Sequence, residues 1–382
     1  MHLMLGPFRA NERGRGRTAR LGEMRRWRGA LAAILTVGAV ALAWGDTQSV
    51  GAATPRYQLG INSYITYRCQ APATYLTWAT SQIDEYAALG ANAIALAFPL
   101  YTDSLQSNDV YGALDCKTGQ FQTPPASLLS DIVGIAHERG LQVLLRPLVV
   151  VKAPYPESRY AWSGILQPTD LLGWIRHYNA ALSPYLIMAQ SVHVEHFAIE
   201  SELNSIANRS DFWRVIAYAR KLYAGNLVAN YTWSSWWGKT PWKGTTPGVD
   251  TYPRVHNTDP SQSPASILGQ WDWLLANRPA YSLPDISGET IDEIGIAAQD
   301  GAYGKPSSGN LPAATHPFNQ TVQARWFTAA CRFMKEHRMQ GIYYWGQWMA
   351  AFDGHLLTSP SPEHPSFLQP VSQLAIRACF TS

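Results

Sequence analysis

The sequence predicts a single (β/α)8 TIM barrel, and three observations carry that expectation. After residue 56, eight short apolar runs alternate with longer amphipathic stretches, which is the mark of repeated βα units. No internal Gly/Pro/Ser-rich linker interrupts them, so residues 54–382 read as one catalytic barrel domain. The longest irregular segments each follow an apolar run, which gathers them on the face where a closed barrel builds its active site.

In chain order, strands are expected at Tyr57–Ile65, Ala91–Phe98, Leu141–Val149, Val194–Ile199, Asn226–Tyr231, Gly248–Tyr252, Ile286–Glu293 and Gln340–Trp345. Helix-like stretches between them include Tyr75–Leu89, Pro125–Arg139, Pro168–Gln190, Ser210–Tyr223, Pro264–Ala276 and Asn319–His337. Gly90, Gly140 and Gly225 stand where helix C-caps belong. The irregular segments are Tyr101–Pro124, Lys152–Gln167, Ser234–Pro247 and Gln299–Pro317, rich in Tyr, Trp and Gly. No glycine fingerprint for a phosphate follows any strand, which argues against an open dinucleotide-binding sheet.

Residues 1–53 read as a signal or targeting segment. Eight Arg and three acids fall within residues 1–47, and a charge-free apolar run extends from Gly29 to Trp44. That run is shorter than the roughly 20 residues of a membrane span, and Val50-Gly51-Ala52 suits a signal-peptidase site. Secretion is therefore expected, with an anchor through the uncleaved segment as the alternative. Met24-Arg25-Arg26-Trp27 would itself make an ordinary start for such a segment. Losing residues 1–47 removes eight positive and three negative charges, a net five, and turns the formal +3 into −2. Such a mature chain has no electrostatic reason to bind nucleic acid or anionic lipid. Export permits disulfides, and Cys69–Cys116 with Cys331–Cys379 is the expected pairing, free buried thiols being the alternative. The spacing of the four cysteines and ten histidines suggests no metal site, and no cofactor is implied.

Charged residues are 15% of the chain and aromatics 12%, with 15 Trp and 19 Tyr. Aromatic rings serve a core, and they also stack on the CH-rich face of a sugar. Against that background two expected strands finish in acids: Ile199-Glu200-Ser201-Glu202 and Ile291-Asp292-Glu293. Carboxylates at the C-terminal end of a barrel strand read as catalytic more readily than as structural. Cleaving a glycosidic bond needs one protonated carboxyl to supply the leaving oxygen and one ionised carboxylate to attack the anomeric carbon. Two carboxyls about 5–5.5 Å apart would do so with retention of configuration. Mutual repulsion would keep one of them protonated near neutral pH. Glu200 and Glu289 share strand parity with Glu202 and Glu293, and Asp292 is adjacent, so these are the rivals for the two roles.

Several segments together resemble glycoside hydrolase family 113, a clan A group of β-mannanases, over nearly all of residues 57–350. They are Ile199–Leu203, Phe212-Trp213-Arg214-Val215-Ile216, Asn230-Tyr231-Thr232-Trp233, Asp292-Glu293-Ile294-Gly295, Gly341-Ile342-Tyr343-Tyr344-Trp345, Ala136–Val143 and Trp162-Ser163-Gly164-Ile165. The resemblance implies Glu202 as acid/base and Glu293 as nucleophile. It implies Tyr252, in Asp250-Thr251-Tyr252, as a hydrogen-bond donor to the nucleophile, and Trp345 as the floor beneath the sugar next to the cleaved bond. Asn230, Trp233 and Trp162 are further substrate-binding candidates. The family's third strand usually ends Lys-Pro-His-Val-Asp, whereas Arg146-Pro147-Leu148-Val149-Val150 stands here, so a His and an Asp that could face the cleft are absent. The expectation is a retaining, endo-acting β-1,4-mannanase, monomeric, with a polysaccharide or oligosaccharide as its partner. The alternatives are a clan A β-glycosidase of other specificity, glucan-cleaving or exo-acting, and a non-catalytic secreted carbohydrate-binding barrel.

Overall fold

The computed structural model describes residues 57–152, 162–233, 242–277 and 285–382. Eight parallel strands close into a barrel in chain order, with β1 hydrogen-bonded to both β2 and β8. They are β1 (Gln58–Ile65), β2 (Ala93–Thr102), β3 (Gln142–Val151), β4 (His196–Ser201), β5 (Asn226–Thr232), β6 (Thr246–Asp250), β7 (Thr290–Ile294) and β8 (Gly341–Met349). The described helices are α1 (Pro72–Ala88), α2 (Ala126–Glu138), α3 (Leu171–Ser191), the single turn α4 (Asn204–Ala207), α5 (Trp213–Leu222), α6 (Pro264–Ala276), α7 (Gln320–Glu336) and α8 (Pro370–Phe380).

All eight expected strands are present, and the differences lie at their ends. β2 and β3 run on together to the pair Thr102 and Val151. β8 likewise continues beside β1 as far as Met349. β7 starts four residues late, because a turn closed by Glu289 N–H on the Ile286 carbonyl occupies the preceding stretch. A short 3-10 turn, Ser210–Phe212, takes the beginning of the helix expected from Ser210. Asp170, Ser263 and Asn319 cap α3, α6 and α7 with their side-chain oxygens. Gly90 and Gly140 adopt the left-handed conformation beyond α1 and α2. Gly225 does not serve as a C-cap: α5 ends with Tyr223 already extended. A Cβ at 225 would strike the Tyr223 ring, so close approach is what favours glycine there.

Strand alternation divides the core into two shells. Outward residues such as Ile94, Leu96 and Phe98 pack beneath the helices, while Ala93, Ala95, Leu144, Ala198, Val228 and Tyr343 fill the barrel. Both expected disulfides form. Cys69–Cys116 joins the segments that follow β1 and β2, and Cys331–Cys379 joins α7 to α8. Among the described residues no helix is long and apolar enough to cross a membrane. The targeting segment expected at residues 1–53 lies outside the described residues, as do 153–161 and 234–241 of the expected mouth loops.

Candidate active site

The strands carrying the candidate acids are irregular, and the irregularity aims them. Pairing of β4 with β5 slips by one residue between Ala198 and Glu200, and β7 slips against both of its neighbours around Asp292. Each slip is a bulge, which places one residue too many on one strand and re-aims the side chains beyond it. In β4 the bulge takes Glu200 out of the interior. Its carboxylate accepts the Leu203 N–H at 2.9 Å, and its charge is felt by buried Tyr178 and Tyr231 of the outer shell. Glu202, just past the strand, then takes up left-handed backbone with φ 55°. That conformation is uncommon for a residue with a Cβ, and it persists where the surroundings enforce it. In β7 the bulge lets Asp292 and Glu293 both face inward. Glu289 precedes the first residue of β7, at the end of the barrel away from the mouth. Glu200 and Glu289 therefore both lie away from the mouth.

Arg146 of β3 organises the site. It is fully buried, gives Nη2 to both oxygens of Asp250 at 2.8 and 2.7 Å, and gives Nη1 to Glu293 Oε2 at 3.0 Å. The same Nη1 reaches the Asp292 carbonyl at 3.2 Å, and the Asn62 amide donates to that carbonyl at 2.9 Å. The other oxygen of Glu293 accepts the Tyr252 hydroxyl at 2.6 Å. Tyr252 stands two residues beyond β6, as the Asp-Thr-Tyr motif implied. Burial first, and the Glu293 charge next, push the tyrosine well above its ordinary range, so it remains a neutral donor. Trp345 is half-buried and follows Tyr343 on the inward face of β8, with its ring edge-on to Tyr64 at 6.2 Å.

Glu202 has a different environment. Burial raises its pKa, the charge of Glu293 raises it further, and the Trp162 indole N–H on Oε2 at 2.8 Å opposes both. Glu293 has a cation and a phenol as neighbours; Glu202 has one neutral donor. The arrangement favours a proton on Glu202. Asp292, beneath them, is held by the Asn230 amide at 2.9 Å and by Thr290, and burial lifts its pKa to about 6 against the pull of Arg146.

The expected site residues thus separate into groups. Glu202, Glu293, Tyr252, Trp162 and Trp345 converge on the mouth. Asn230 is fully buried, with its amide on Asp292. Trp233 packs edge-on against Phe333 of α7 in the outer shell, so its ring faces away from the interior. The parity of β5 carried that signal, since an inward Asn230 puts residue 233 outside. Arg146 was legible only as a charge inside an apolar strand, and its partners come from β6 and β7, far along the chain. Leu148 and Val150 follow it on the same face of β3 and are half-buried. Among the described residues no cluster of three metal-ligating side chains occurs. A separate cleft of about 470 Å³, lined by residues including Asp272, Asp285 and Glu336, opens at the C-terminal ends of α6 and α7, remote from these carboxylates.

Solved structures share this architecture. A family 113 β-1,4-mannanase complex superposes with a TM-score of 0.67 at 16% identity, covering 86% of this chain and all of that one. The family 113 β-mannanase from Alicyclobacillus acidocaldarius in complex with ManMIm gives 0.65 at 18% identity, covering 85% and 97%. A family 5 subfamily 18 protein from Streptomyces cattleya in complex with GlcNAc gives 0.53 at 13% identity, covering 86% and 80%. No curated protein matches the chain. The model of Glycoside Hydrolase Family 113 matches residues 65–356, most of the barrel and both carboxylate-bearing strands, and the chain belongs to that family.

Proposed function

We propose that the chain is a secreted retaining hydrolase of β-1,4-mannan-type polysaccharide, with Glu293 as nucleophile and Glu202 as acid/base. The observation that carries this reading is the contrast between the two carboxylates at the mouth. One is held by Arg146 and Tyr252, the other is half-buried beside a single neutral donor. Glu293 attacks the anomeric carbon while Glu202 protonates the leaving oxygen. Glu202 then takes a proton from water, which attacks the glycosyl ester and frees Glu293. Trp345 offers a flat apolar face to the sugar beside the cleaved bond.

Mannan is favoured because the family 113 structures of like fold are β-mannanases. A glucan-cleaving or exo-acting relative is the second reading, favoured by half-buried Leu148 and Val150 where a polar wall would otherwise select hydroxyls. Two disulfides support export to an oxidising compartment. Product analysis on β-mannan, glucomannan, cellulose and xylan, with Glu202→Gln and Glu293→Gln beside the parent chain, tests the proposal. Mannan cleavage should fall by at least about 10³-fold in each variant. Parent activity confined to another glycan would move the specificity, and silence on all four would favour a binding barrel.

A further inference from the structure

Glu293 shares its cation. Arg146 reaches it through one guanidinium nitrogen and binds both oxygens of Asp250 through the other. One positive charge therefore faces two carboxylates, with none of the three side chains more than 4% exposed. Burial pushes Asp250 well above the usual carboxylate range, and the Arg146 guanidinium against both of its oxygens is what opposes that and favours its ionised form. A buried guanidinium cannot shed its proton, and leaving it without an anion is costly.

Double displacement creates that hazard. When a Glu293 oxygen bonds to the anomeric carbon, the glycosidic C–O bond breaks and its electron pair goes to the leaving oxygen, which takes the proton of Glu202. Glu293 is then a neutral ester, and Arg146 has lost one of its two anions. We propose that Asp250 is a positioning residue that keeps Arg146 paired throughout the covalent stage, so that Arg146 orients the nucleophile without destabilising the glycosyl-enzyme. This rests on the assignment of Glu293 as nucleophile. The geometry fits the role, because the two shorter contacts, 2.8 and 2.7 Å from Nη2, go to the carboxylate that never reacts, against 3.0 Å from Nη1 to Glu293.

Two measurements on the full chain test it. A 2-deoxy-2-fluoro-β-mannobiosyl fluoride traps the glycosyl-enzyme, so its rates of formation and breakdown are read separately. In Asp250→Asn, formation should slow by about 100-fold relative to the parent while breakdown does not slow, since the loss falls on the state in which Glu293 is uncharged. Equal slowing of both rates, as general loosening would give, overturns the proposal, and so does an unchanged formation rate. The second measurement needs no turnover. Glu293→Gln imitates the uncharged ester, so Asp250→Asn should lower Tm by about 2–4 °C more in that background than in the parent. Equal decrements in both backgrounds overturn the pairing even if the enzyme is active. A parent chain inert toward every glycoside, with the extra decrement present, would refute the hydrolase reading and leave the pairing standing.

Discussion

Glu202 and Glu293 are the same residue type, told apart by what touches them. Trp162 makes the only side-chain hydrogen bond described for Glu202, and that bond favours the ionised form. Trp162→Phe keeps the ring and removes the donor, so the pKa of Glu202 should rise further. The alkaline limb of kcat/KM, which reports loss of the acid's proton, should move to higher pH. A pH–rate series on the variant reads this directly, and a limb that stays or moves down would count against Glu202 as the acid. Most of this chemistry was legible in the sequence. Two acids closing apolar strands and a tyrosine in a short motif are local signals. The part played by Arg146 was not, because its meaning depends on Asp250 and Glu293, which are more than 100 residues away in the chain.

Among the elements, β4 and β7 show where periodic reasoning stops. Their apolar runs located both strands, yet alternation counted from those runs makes Glu200 equivalent to Glu202. In β4 the slip before Glu200 turns that residue outward, and the left-handed backbone at Glu202, two residues further on, breaks the equivalence. No residue type announces a bulge of this kind, since the extra residue is accommodated by pairing with neighbours the sequence does not order. β6 supports β7 in a similarly indirect way. Gly248 lies against the Asp292 carboxylate, and an added Cβ there would collide with it. Gly248→Ala should displace Asp292 from Asn230 and Thr290, cost about 1–3 kcal/mol of stability, and reduce kcat without a comparable change in KM. Urea unfolding with steady-state kinetics checks both effects. An unchanged kcat would mean that the layer beneath the two glutamates does not hold them in place.

At the scale of the whole molecule, the buried acid Asp292 links stability to pH. Its pKa is raised from 3.8 to about 6, so the fold disfavours its ionised form. Its stabilising share is complete below about pH 4 and is lost as pH rises through about 6. The shift corresponds to about 3 kcal/mol. Asp292→Asn removes the titration and keeps an amide in its place. The parent chain should therefore lose stability relative to the variant between pH 4 and 7, as read from urea unfolding at each pH, and a flat or opposite difference would show that Asp292 titrates normally. The fold class was legible because it rests on eight repeats of one pattern, which tolerates errors at single boundaries. The tie between Cys331 and Cys379 has a further consequence. β8, the strand that must find β1 to complete the cylinder, lies between those two cysteines, so once the bond forms it sits inside a covalent ring. Closing the cylinder is then a search by a tethered loop and not by a free tail, and the conformational freedom surrendered at closure is smaller.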